Sequence, residues 1–153
     1  MSLCMEHQLG RDDQAATKAH QTLLTLNGKV SGFVPPRDTS GFFRHFFDME
    51  SGEGTSEFST IDTAIMVVGA LSCRNTFDHS GIRQEANQLW NSIDWQLARA
   101  SEDGHRLHMT VADGKPGPRT VTLLFNEYYL LAWLIHEDAQ QQGLEGSLPA
   151  LRD

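Results

Sequence analysis

The chain has 153 residues, enough for one domain with a core of useful size. Lys and Arg number 12 against 20 Asp and Glu, a formal charge of −8 that argues against nucleic acid or an anionic membrane as partner, since both need a basic surface. Ordinary apolar and charged fractions argue against wholesale disorder, and the acidic charge balance suits a neutral ligand.

The opening residues, MSLCMEHQLGRDD, lack the basic and apolar regions of a signal peptide and read as a loose tail over residues 1–10. No apolar run approaches the roughly 18 residues of a membrane helix, so no membrane insertion is expected. Of the two cysteines, Cys73 reads as a small buried hydrophobe and Cys4 as part of a frayed terminus. One possible disulfide does not make a framework, and the redox compartment stays open.

A first helix is expected over about 11–27, with Ala15, Ala16, Ala19, Leu23 and Leu26 on one face and Asn27-Gly28 as its stop. Pro35-Pro36 marks an extended loop, and residues 41–47 read as a short aromatic strand. In that strand Phe43 and His45 would share one side, with Phe42, Arg44 and Phe46 on the other. Ser51 to Gly54 form a turn. A second helix should begin at Ser59 or Thr60, where Ser59 and Asp62 have capping-box spacing. Its body carries no charge from Thr63 to Cys73 and is apolar on every face, so it must be covered all round.

A third helix, about 81–93, has one apolar stripe of Ile82, Ala86, Leu89 and Ile93. Arg83, Gln84, Glu85, Asn87, Gln88 and Asn91 make its wet face, which places it on the outside. Asp94-Trp95 marks the exit. A short strand follows within 106–111, and Gly114 to Pro118 read as a firm break. A fourth helix, about 125–138, is again apolar all round, with Trp133 assigned to the core. Residues 141–153 read as a second loose tail. Alternating one-sided and all-apolar helices point to an all-α fold of inner and outer helical hairpins.

GFFRHFFDMESG, SEFSTIDTAIMVVGAL, IRQEANQLWNSIDW and FNEYYLLAWL occur in that order over about 41–134. They resemble the glucoamylase-like family, which includes endo-β-1,2-glucanases and the matching domain of cyclic β-1,2-glucan synthases. The family pattern is close to GFFYHFLD-x-x-TG, SE-x-STIDTALL-x-AG, a helix ending in DW, and YNEA-x-LLYLLALG. The resemblance implies an (α/α) toroid with a sugar cleft at the mouth of the ring. The family domain is longer, so the chain would be a single partial toroid. It also implies a glucan or oligosaccharide partner and a periplasmic or extracellular location. The exposed flanks of a partial ring would be covered by a second copy or by the rest of the toroid.

Glycoside hydrolysis needs two carboxyl groups flanking the scissile bond. Glu57, just before the second helix, and Glu127, at the start of the fourth, fall at the family's acidic cleft positions by resemblance. Asp62 and Asp48 are its other recurring acids in these blocks. Asp62 also reads as a capping residue and Asp48 as the opening of a turn. Phe43, Arg44 and His45 are candidate substrate-binding groups, with core packing or a surface role as the alternatives. Trp95 is either core or a sugar platform. His105 and His108 lack further ligands at metal spacing, so no metal site is expected, and no cofactor is expected either. The competing expectation is a non-catalytic carbohydrate-binding or interaction remnant of such an enzyme.

Overall fold

The computed structural model describes residues 2–10, 14–48, 50–54, 56–100, 106–117, 121–123 and 128–143. Among the described residues the chain is mostly helical, with five α-helices and two small antiparallel sheets. Its contacts divide it into two compact units. One comprises Met1–Pro36, Phe47–Gly54 and Met66–Ser92; the other comprises Arg37–Phe46, Thr55–Ile65 and Ile93–Asp153.

The first unit begins with helix α1 (Ser2–Gln8), where a loose tail was expected. Cys4 is buried there, and an apolar contact is what orders so short a helix. Helix α2 (Ala15–Leu26) follows and buries Ala15, Ala19 and Leu23, the face expected from the sequence. It stops at Gly28, whose φ of 69° is left-handed. The Gly28 amide returns to the Thr25 carbonyl and the Lys29 amide to Leu24, both at 2.9 Å, which satisfies the last turn. Helix α4 (Ser80–Asn91) buries Ile82, Ala86 and Leu89 as its apolar stripe requires. His79 caps it, its Nδ1 accepting the Ile82 amide at 3.2 Å.

Glu85 departs from the expected wet face of α4, since it is only 5% exposed. The loop after α2 is the cause. Lys29 Nζ lies 2.7 Å from one Glu85 oxygen, and Asn27 Nδ2 donates to the other at 2.9 Å. Both partners lie more than fifty positions upstream, so helical periodicity could not reveal them.

Strand β1 (Phe58–Ser59) leads directly into helix α3 (Thr60–Thr76), which starts where the capping signal placed it. The start of α3 belongs to the second unit and its remainder to the first. A 3-10 turn covers Trp95–Ala98. The expected strand within 106–111 divides into β2 (Arg106–His108) and β3 (Thr110–Ala112), which enter different sheets. β3 pairs with β1 (Phe58↔Val111) and with β4 (Lys115–Pro116), while β2 pairs with β5 (Val121–Leu123).

The break expected at Gly114 is a tight hairpin. Asp113 and Gly114 both take positive φ, 51° and 69°, as the two central residues of a hairpin turn of matching twist require. Residues 41–47 form isolated bridges, Arg37↔Phe43 and Arg44↔Phe58 in this unit, rather than a regular strand.

Helix α5 (Tyr128–Gln141) buries Leu131, Leu134 and Ile135. It packs on the 3-10 turn, where Gln96 Nε2 donates to the buried Asp138 carboxylate at 3.1 Å. Trp133 corrects the expectation of a core residue, since it is 39% exposed, and Tyr129 on the same helix is 56% exposed. An apolar run in sequence shows that cover is favourable, but the described part of this unit covers only one side of α5.

Candidate functional site

Three local choices build the rim at the start of α3. The first is the Asp38 carboxylate. It accepts the Ser40 hydroxyl at 2.6 Å, the amides of Ser40 and Phe42 at 3.1 and 2.9 Å, and the Gly114 amide at 3.2 Å. That pins residues 38–42 to the β3–β4 hairpin. The second is Thr63. Its hydroxyl donates to the Ser59 carbonyl at 2.7 Å and accepts the Phe43 amide at 2.9 Å. The third is Thr60, whose hydroxyl donates to the His108 carbonyl at 2.7 Å. A β-branched hydroxyl in a first helical turn can close such bonds without leaving the helix.

Residues 44–46 then run beside 56–58. The His45 amide meets the Glu57 carbonyl at 3.0 Å, and the Phe46 amide meets Ser56 Oγ at 2.7 Å. Arg44 lies 4.3 Å over the Phe58 ring and donates to the Ser56 carbonyl. Its guanidinium therefore stitches the two segments together.

The expected alternation fails at adjacent rings, because Phe42 and Phe43 are both buried. Phe42 meets Trp95 edge-on at 5.9 Å, and Phe43 sits beneath Arg37 at 4.5 Å. Neither Phe43 nor Trp95, at 3% and 0% exposure, offers a face to a ligand. This corrects their assignment to substrate binding. The outward ring is Phe46, 64% exposed, with the His45 ring against it at 3.9 Å between centroids.

Asp62 is the polar hub. Its Oδ2 takes the Ser59 hydroxyl and lies 2.6 Å from His45 Nδ1. Its own amide donates to Ser59 Oγ at 3.2 Å. The capping box differs from the usual form, in which the third-residue acid returns to the cap's backbone amide. Here the Ser59 amide is taken by the Phe43 carbonyl at 2.9 Å, which frees the carboxylate to face the hydroxyl and the imidazole. Because Asp62 accepts, neutral His45 carries its proton on Nδ1 and presents Nε2 as an acceptor.

Serine, histidine and aspartate are thus brought together, but with aspartate in the middle. Nucleophilic serine chemistry needs histidine between the other two, to take the hydroxyl proton. The cluster suits hydrogen bonding to a ligand rather than acyl transfer.

Glu57 lies on this rim with an exposed side chain and makes no side-chain hydrogen bond among the described residues. Asp48 belongs to the other unit. There the Ser51 and Glu50 amides donate to its carboxylate at 2.6 and 3.0 Å and hold its pKa below the ordinary aspartate value. It closes its own turn, the alternative to a role at a cleft. Glu127 and His105 lie outside the described residues. Burial pushes the His108 pKa down, and no group of three or more metal-ligating side chains occurs among the described residues. No described helix is long and apolar enough to cross a membrane.

Sequence reasoning missed Ser56 and Thr63, whose hydroxyls join segments adjacent only in space. Ser59 was marked by its spacing to Asp62 but not as a partner of the His45 network.

Asp62→Ala is expected to lower stability by about 1 kcal/mol, the usual worth of a capping interaction. Both Asp62 and His45 are more than a third exposed, so little of that loss comes from the contact between them. Asp62→Asn, which keeps an acceptor, should lose less. Urea unfolding checks the order, and three equal midpoints would remove Asp62 from the cap.

Comparisons of the chain with protein-family models, with curated proteins and with solved structures gave no match.

Proposed function

We propose that the chain is a glycoside hydrolase-like domain of the glucoamylase-like kind. It acts on or binds a β-linked glucan, β-1,2-glucan by resemblance, at the rim of His45, Phe46, Glu57 and Asp62. The observation that carries this reading is the exposed Phe46 ring beside the imidazole held by Asp62. A flat apolar ring suits the C–H face of a sugar, and adjacent carboxylate and imidazole groups suit its hydroxyls. The formal charge of −8 agrees with a neutral ligand.

In the toroid that the resemblance implies, α3 and α5 are inner helices with further hairpins beside them. Ile65, Tyr129 and Trp133 are 48%, 56% and 39% exposed, as faces awaiting such neighbours or a second copy would be.

A second reading, a carbohydrate-binding domain without turnover, is favoured by the surroundings of the acids. Glu57 stands in water, and Asp62 already serves Ser59 and His45. A general acid for glycoside cleavage works best in an apolar surround that penalises its charge. Incubation with β-1,2-glucan and other β-glucans separates the readings. New reducing ends support hydrolysis, binding by calorimetry without product supports the second reading, and the absence of both product and binding overturns both readings.

A further inference from the structure

A second locus of chemistry lies in the first unit and does not depend on the carbohydrate reading. Cys4 in α1 and Cys73 near the end of α3 are free thiols, 5% and 7% exposed. Their sulfurs are 2.9 Å apart although the residues are 69 positions apart in the chain. A disulfide bond is about 2.05 Å long, so closure asks the two sulfurs to approach by less than about 1 Å.

A second contact supports the juxtaposition. One turn after Cys4, the His7 ring lies 4.7 Å from the Phe77 ring. Cys4 and His7 are three apart on α1, and Cys73 and Phe77 are four apart at the far end of the chain's central helix and just beyond it. Residues so spaced share a helix face. Together the pairs fix the register of α1 and keep the thiols opposed.

A shared metal fits this spacing poorly. Two thiolates on one tetrahedral zinc ion would stand roughly 3.8 Å apart, and no third ligand joins them among the described residues.

We propose that Cys4 and Cys73 form a reversible dithiol–disulfide pair that, on reaction with a small-molecule disulfide of the glutathione type, cross-links α1 to the end of α3. One protein thiolate attacks the small disulfide, forms a mixed disulfide and releases one small thiolate. The other protein thiolate then attacks the protein sulfur of that mixed bond and releases the second. The protein loses two protons and two electrons, and the small disulfide gains them as two thiols.

The same burial that aligns the pair also protects it. Burial pushes the Cys73 thiol up to about 12, with the Cys4 hydrogen bond adding to the effect, so the reactive thiolate is scarce at neutral pH. Exchange therefore runs through opening of α1, a seven-residue helix too short to persist undocked.

The test equilibrates the full chain in glutathione buffers of graded oxidised-to-reduced ratio, starting from both the reduced and the oxidised protein. Thiols are then trapped and counted by intact mass. The folded chain should close the pair at a ratio roughly 100-fold lower than the urea-unfolded chain, because a bond that stabilises the fold is itself stabilised by folding. Thermal unfolding of the oxidised form should shift upward by roughly 5–15 °C, and dithiothreitol should reverse the shift. Cys4→Ser and Cys73→Ser should each abolish both effects. Equal closing ratios for folded and unfolded chain would overturn the proposal, as would a glutathione adduct accumulating on either cysteine in place of the closed pair.

Discussion

Replacing Trp95 by alanine is expected to destabilise the protein by about 3–5 kcal/mol, the usual cost of deleting a large buried ring. The side chain is wholly buried and meets the Phe42 ring edge-on, at 79° between planes and 5.9 Å between centroids. Removing it leaves a cavity on one side of Phe42, while the Asp38 bonds continue to hold the backbone of that segment in place. The cavity can therefore collapse only partly. Trp95→Phe should cost less, since most of the volume remains. Denaturant unfolding followed by far-ultraviolet circular dichroism reads both changes. A midpoint unchanged in Trp95→Ala would show that the ring is not part of the core.

Glu57→Gln is expected to leave the fold intact and to remove hydrolysis of a β-glucan, by a factor of roughly a thousand or more if Glu57 is one of the two essential carboxyl groups. The amide has nearly the same size and shape, and the side chain is exposed, so stability should change by less than about 0.5 kcal/mol. The amide can neither give nor accept the proton that cleavage requires. Reducing-end release measured beside the wild-type chain gives the ratio, and unfolding midpoints provide the control. Wild-type turnover in Glu57→Gln would take this residue out of the chemistry. Glucan binding that survives the substitution, in a chain without turnover of its own, would leave His45, Phe46 and Asp62 as the binding surface.

Local signals in the sequence marked several elements correctly. Ser59 and Asp62 set the start of α3, Asn27-Gly28 ended α2, and Ile82, Ala86 and Leu89 identified the buried stripe of α4. Each depends on residues within about a turn of one another, so the chain carries the information wherever it lies. Asp113-Gly114 carries a hairpin signal of the same local kind, overlapped by the glycine- and proline-rich run after it. The site was less legible. The acids and rings were visible as types, but their directions were not. Phe42 and Phe43 turn inward together because Trp95 and Arg37 receive them. Asp62 reaches His45 because the Phe43 carbonyl has taken the Ser59 amide.

The sequence by itself determined where α2 ends, where α3 begins and which stripes α2 and α4 must bury, because backbone dihedrals, caps and hydrophobic period act over a few residues. Only the tertiary structure decided that Glu85 is buried under Lys29, that Trp133 is partly exposed, and that Cys4 meets Cys73. Those outcomes depend on which distant segment supplies the countercharge, the cover or the second sulfur. Proximity of that kind is fixed by packing the whole chain at once.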